Sequence, residues 1–346
     1  MLYIHQYPDW THFRFDSRKV LNALGEARLQ EGKLIGAMET CGFQDLEQEL
    51  LIQDICSNSA IDDHNLEEDF VKQQAALVQG GNSQSADPAI RIYLGAITKA
   101  FNPVTTERLF AWHASMGQNK VASFRQGPSA VSHVQGEARL DFDGPNPERL
   151  KQEVERYIQW METSNMDGVI KAAVAHFWFI TLRPFADANG RLARLLTIVA
   201  LARSEQTTRC QFSLNQAFLD RKEEYFKILN ETQRSNGDLT EWILWFIETM
   251  QQAMVTTRER ILKEQRKTAF YNRHAGEAFD EKDQKLFTAL FTGKLPESFT
   301  SKDLAAVIDQ SHDTALRTIQ RLIAKGILKA DEKGGRSQRY SLGDRG

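Results

Sequence analysis

Residues 183–194 read Arg183-Pro-Phe-Ala-Asp-Ala-Asn-Gly-Arg-Leu-Ala-Arg194, and these residue types suit the holding of a phosphate. An apolar helical stretch over 167–182 precedes them and Pro184 stops it. Gly190 opens a second helix with Leu192, Leu195, Leu196 and Val199 on one face. A helix N-terminus carries unpaired N–H groups and a partial positive charge, so it binds anions. Gly190 lets the backbone come close to such an anion. Arg191 lies in the first turn and Arg194 one turn later, so both reach one ligand. Asp187 at the loop mouth suits a Mg²⁺ whose other ligands are phosphate oxygens. Taken singly, each residue has a plainer reading, an Asp helix cap or solvated arginines. The full cluster combines too many independent elements for that reading.

The segment resembles the Fic (Fido) signature His-Pro-Phe-x-Asp-Gly-Asn-Gly-Arg-x-x-Arg, and Ala175-His-Phe-Trp-Phe-Ile-Thr-Leu182 resembles the helix leading into it. The resemblance extends along nearly the whole chain. Residues 9–66 look like the helical N-terminal region of a bacterial subfamily. Residues 106–113 and a hairpin over 121–142 look like its substrate flap. Family members transfer AMP from ATP, with Mg²⁺, to a hydroxyl of a target protein. By position, the resemblance makes Asp187 the metal ligand. It makes Asn189, Gly190 and Arg191 the α/β-phosphate cradle, and Arg194 the γ-phosphate contact. Tyr225 resembles the aromatic position near the adenine, with an ordinary core tyrosine as the equal alternative.

Two departures from the family pattern stand out. Arg183 holds the place of the histidine that takes the hydroxyl proton. A general base must lose its own proton near neutral pH, and an arginine does not. Removal of a general base costs about 10²–10⁴-fold in rate. Arg183 suits instead pairing with a nucleotide phosphate or with Asp187. Ala188 replaces a loop glycine and restricts φ there. Of the other histidines, His176 on the apolar helix reads as a packing residue, and His133 lies in the flap, from which it could approach the site although nothing in the sequence requires it. The second departure is Asn58-Ser-Ala-Ile-Asp-Asp63, where relatives carry an inhibitory Ser/Thr-x-x-x-Glu-Gly helix whose glutamate pairs with the second loop arginine. Asp62 stands for the glutamate and Asp63 for the glycine, so the segment reads as a degenerate brake. A site without its base has less need of one.

Helices must position these groups. Helical periodicity marks 16–36, 44–57, 88–101, 105–115, 147–163, 167–181, 190–204, 219–233 and 239–266, with a Gly/Ser/Asn-rich loop over 79–88. Beyond residue 280, three helices over 281–292, 300–308 and 312–325 and two short strands suggest a winged helix-turn-helix. The expected fold is mainly α: a Fic/Fido helical core with a small β-hairpin flap plus a C-terminal winged helix. The expected domains are 1–83, a helical N-terminal region; 84–255, the Fic domain; 256–280, a connecting helix; and 281–346, the winged helix. At roughly 100–200 residues per domain, 346 residues agree with that layout.

Residues 281–346 carry 12 Lys+Arg against 9 Asp+Glu, and Arg317, Arg321 and Arg336 fall where a winged helix meets DNA. That surplus is modest, so a module for protein partners or homodimers is the alternative. A regulator that uses the core as a nucleotide-sensing scaffold is accordingly the competing function. The whole chain is near neutral, at −3, and marks no global nucleic-acid or membrane binder. Three scattered cysteines form no metal pattern. With no apolar run of spanning length and no leader pattern, the expected location is cytoplasmic.

Overall fold

The computed structural model describes residues 2–40, 44–117, 123–135, 138–331 and 338–343. The chain divides into two compact units, Met1–Arg258 and Glu259–Gly346. No helix among the described residues is long and apolar enough to cross a membrane.

The first unit contains, in order, α1 (Ser17–Glu39), α2 (Gln44–Ala60), α3 (Glu68–Gln79), α4 (Pro88–Thr98), α5 (Thr106–Met116), the antiparallel pair β1 (Ala130–Gln135) and β2 (Ala138–Asp143), α6 (Leu150–Thr163), α7 (Gly168–Leu182), α8 (Asn189–Ser204), α9 (Leu214–Asp220), α10 (Lys222–Gln233) and the start of α11 (Thr240–Arg273). The hairpin and most helices fall where the periodicity predicts. Helix α3 was not foreseen. The single helix expected over 219–233 is two, because Arg221 leaves helical geometry at φ −114°, ψ 31°.

Helix α7 is apolar all round, and every residue from Val169 to Leu182 is buried except Lys171. Such a helix must be jacketed on all sides. Aromatic rings supply much of the jacket: Trp10, Tyr157 and Trp160 pack on Trp178, and the Trp242 indole donates to the Ala173 carbonyl at 2.8 Å. Helix α8 packs along α7, so the turn between them is set in a rigid frame. Helix α2 is fixed by the buried carboxylate of Asp54, which accepts from the Tyr93 hydroxyl, Ser213 Oγ and both the backbone and side-chain amides of Asn215. Four donors offset the cost of burying that carboxylate and hold the end of α2 in place.

The second unit holds the rest of α11, then α12 (Glu281–Thr292), β3 (Phe299–Thr300), α13 (Ser301–Ile308), α14 (His312–Ala324), β4 (Leu328–Ala330) and β5 (Arg339–Leu342), with the strands antiparallel in the order β3-β5-β4. Its core includes Leu286, Phe287, Leu304, Ile319, Leu322 and Tyr340. The segment 256–280, expected as a connector, also contributes: Phe270 is buried in this core, with Tyr271 and Phe279 packed against it.

Candidate functional site

The α7–α8 turn forms one wall of a cavity of about 330 Å³, within the usual range for small-ligand sites. The cavity brings together residues distant in sequence: Asp62 and Asp63 after α2, Arg183 through Arg194 on the turn, and Lys222, Tyr225 and Asn230 on α10. Three of its lining residues adopt a left-handed backbone without being glycine: Asp63 (φ 60°), Arg183 (φ 44°) and Ala188 (φ 54°). That conformation costs a side-chain-bearing residue about 1–2 kcal/mol, and such strain clusters at functional sites. Two of these residues, Asp63 and Ala188, stand where the sequence comparison expects glycine, so the backbone shape outlasts the change of residue.

Helix α8 has Ala188 as its N-cap and no side-chain cap. Asp187 Oδ1 meets His113 Nε2 at 2.9 Å. Arg191 lines the cavity, and its nearest carboxylate oxygen is Asp62 Oδ2 at 3.8 Å, beyond hydrogen-bond length. Its buried Nε has no hydrogen-bond partner. A helix N-terminus and an underused guanidinium therefore face one space.

Several expected roles change in the folded chain. Asn189 is 2% exposed, and its amide both accepts from Phe185 N at 3.0 Å and donates to Phe185 O at 2.9 Å. Its side chain staples the turn, with one of its two amide N–H donors spent on the Phe185 carbonyl. Arg194 is 1% exposed, donating to Asn58 Oδ1 (2.7 Å), Asn58 O (2.8 Å) and Asp62 Oδ2 (3.0 Å). The segment read as a degenerate brake thus makes its ion pair with the second loop arginine, one methylene shorter. Burial opposes the charge on Arg194, but Asp62 and Tyr225 outweigh it and raise its pKa. Gly190 is needed for this arrangement, since a Cβ there would lie 2.9 Å from Asp62 Oδ1. Asp63 pairs with Lys222 at 2.6 Å.

Arg183 pairs with neither Asp187 nor any other carboxylate within 4 Å among the described residues. Its Nε donates to Ser129 Oγ at 3.0 Å, and its carbonyl accepts from Arg125 Nε at 2.8 Å. Desolvation pulls its pKa down to about 10, still far above neutrality.

Tyr225 lines the cavity yet is buried, stacked on Phe218 at 5.2 Å, with its hydroxyl 2.9 Å from His176 Nε2. Burial pushes the phenol up to about 12. His176 is fully buried between Tyr225 and Thr197, and burial lowers its pKa well below the usual value. It is a packing histidine. His133 sits on β1 opposite Leu140, and its side chain lies outside the described residues. Sequence reasoning missed His113, Ser129, Lys222 and His64, which also lines the cavity. No spacing rule connects His113 to Asp187, 74 residues away.

In the second unit, Arg321 is engaged by Asp280 (2.9 Å) and Asp283 (2.6 Å), and Thr318 is buried. Arg317 is exposed on α14. Arg336 lies outside the described residues.

Residues 103–201 of this chain match the family model described as the Fic/DOC family. Residues 3–76 match a further family model, described as a domain of unknown function, DUF4172. Among curated proteins, the chain is 33% identical over 66 residues to the protein adenylyltransferase fic-1 of Caenorhabditis elegans, covering 18% of this chain and 13% of that protein. It is 39% identical over 67 residues to a uridine 5'-monophosphate transferase of Xanthomonas campestris pv. campestris (strain 8004), covering 17% and 12%. The matched parts thus span about an eighth of these relatives. A solved Fic family protein from Desulfovibrio desulfuricans G20 shares the fold, with a TM-score of 0.54 at 20% identity over 96% of this chain and 98% of that one.

Proposed function

We propose that the first unit is a Fic-family nucleotide site that holds a nucleoside triphosphate with Mg²⁺ and in which transfer to a protein hydroxyl is weak or lost. One observation carries the second half of this reading: the cavity residue at the base position is Arg183, whose guanidinium stays protonated. Transfer forms a P–O bond from the target hydroxyl to the α-phosphorus, breaks the α–β anhydride and releases pyrophosphate. The hydroxyl proton needs an acceptor, and a guanidinium offers none. Two features support the binding half, the uncapped N-terminus of α8 and the underused Arg191. Asp187 fits a metal role, being partly exposed at the cavity with its other face held by a histidine. It would hold Mg²⁺ together with the phosphates, and the cation would neutralise their charge. Relatives named for both AMP and UMP transfer leave adenine and uracil donors as rivals.

The test compares labelled ATP and UTP on the unaltered chain and on Arg183→His, with calorimetry for binding. Nucleotide binding by both, lost in Arg191→Ala, with transfer only by Arg183→His, is the expected result. Efficient transfer by the unaltered protein would sink the inactivity reading and make His64 the first histidine to substitute.

As a second reading, we propose that the C-terminal unit is a winged helix that makes the protein a regulator binding DNA or a protein partner. Exposed Arg317 supports it, whereas Arg321 is spent on internal acids. Gel shifts unaffected by Arg317→Ala would remove the DNA version.

A further inference from the structure

His113 is the histidine that holds Asp187. It projects from α5, is 2% exposed, and meets Asp187 Oδ1 through Nε2 at 2.9 Å. Its ring lies parallel to that of Phe185, with centroids 4.2 Å apart and 6° between planes. An ionised carboxylate only accepts, so Nε2 donates the proton of this bond. The other nitrogen, Nδ1, is buried and without a hydrogen-bond partner. Leaving a buried polar atom unpaired is costly, and a phenyl ring in the same stack would avoid that cost. The imidazole's distinctive contribution here is its single bond to Asp187. The backbone is shaped around that bond as well. A Cβ on Gly117 would lie 2.5 Å from Asp187 Oδ1 and 2.9 Å from His113 Nε2, so that position is kept bare where the two side chains meet.

We propose that His113 is a positioning residue that fixes the Asp187 carboxylate in the orientation a nucleotide-bound divalent cation requires. A group hydrogen-bonded behind a metal ligand sets that ligand's rotamer, and its loss costs about 10–100-fold in metal affinity. The inference rests on reading Asp187 as the protein's metal ligand. Its readout is the ratio of ATP affinities measured by calorimetry in Mg²⁺ and in EDTA. His113→Phe keeps the stack on Phe185 and removes the donor. It should shrink the Mg²⁺ advantage by about 10–100-fold while leaving affinity in EDTA and the melting temperature nearly unchanged. His113→Gln returns an N–H near the position of Nε2 and should recover most of the advantage. A His113→Phe protein with the full Mg²⁺ advantage would overturn the inference alone, as would an equal loss in Mg²⁺ and EDTA. An unaltered protein that binds ATP equally in both conditions would overturn the metal reading of Asp187, and this inference with it.

Discussion

Arg183 and Arg194 are the same residue type at the two ends of one short segment, and the fold treats them in opposite ways. Arg194 is fully enclosed, and its guanidinium meets two oxygens of Asn58 and one of Asp62. Arg183 meets one serine hydroxyl and, among the described residues, no carboxylate within 4 Å. Desolvation lowers the pKa of Arg183, whereas at Arg194 burial is outweighed by Asp62 and Tyr225. A buried cation with its counter-charge built in belongs to the structure. One left without a counter-charge at a cavity wall is completed by an anionic ligand. The comparison therefore separates a cation whose counter-charge is supplied by the fold, at Arg194, from one that the proposed reading leaves to a phosphate, at Arg183.

The largest effect should come from changing the Arg183 end. Arg183→His places a group with a near-neutral pKa at the base position, and labelled-nucleotide transfer should rise by about 10²–10⁴-fold. Combining it with Asp62→Ala should raise transfer further, because Arg194 is then freed for phosphate. If the double variant is no faster than Arg183→His, the Asp62–Arg194 pair is not a latch on the reaction.

Breaking the Asp62–Arg194 pair alone should cost stability. Asp62→Ala leaves the Arg194 guanidinium buried beside Asn58 and Tyr225 without its carboxylate. Loss of one partner from a buried pair costs about 3–5 kcal/mol, and the partial exposure of Asp62 reduces this to about 2 kcal/mol. Chemical denaturation reads that loss, and ATP should then raise the melting temperature more than it does in the unaltered protein. An unchanged midpoint would show that the pair contributes no net stability.

The two arginines should also differ in sign when each is replaced by methionine. Arg194→Met leaves Asp62 with only the more distant Arg191, at 3.8 Å, and should destabilise the free protein. Arg183→Met removes a charge that lacks a counter-ion and should stabilise it by about 1 kcal/mol, while weakening nucleotide binding. Destabilisation by both substitutions would erase the distinction drawn between the two ends.

Local periodicity and the phosphate-loop cluster made much of this fold legible from sequence. The burial of α7 follows from its unbroken apolar run, and the uncapped start of α8 from Gly190 and its neighbours. Legibility fails where a side chain's partner is remote. Nothing in residues 185–189 announces that the Asn189 amide closes on the Phe185 backbone rather than on a ligand. The reach of Asp62 to Arg194 depends on α2 being pinned through Asp54 to Tyr93 and Asn215, a contact without local pattern. The contribution of Phe270 to the second unit was hidden because a charged helix reads as a connector until its apolar face meets a core.

The far end of α8 provides a weaker counterpart to the Asp62–Arg194 pair, and it should respond to pH. There Arg28 on α1 donates to Glu31 and Glu205, both at 2.8 Å, and reaches Asp167 at 3.4 Å. Burial and the neighbouring Glu205 carboxyl push Glu31 up to about 7 against the pull of Arg28, while Glu205 is lowered. Between the ordinary carboxylate range and about pH 7, the folded chain binds more of Glu31's proton than the unfolded chain does. Stability from this group is therefore complete at low pH and is lost as pH rises through about 7. The lowered carboxyl of Glu205 works in the opposite sense, adding stability above the ordinary carboxylate range. The melting temperature of the unaltered protein should fall modestly from pH 5 to pH 8 relative to Glu31→Gln, which cannot titrate there. Parallel pH curves for the two proteins would show that α1 holds the end of α8 without a proton in the contact.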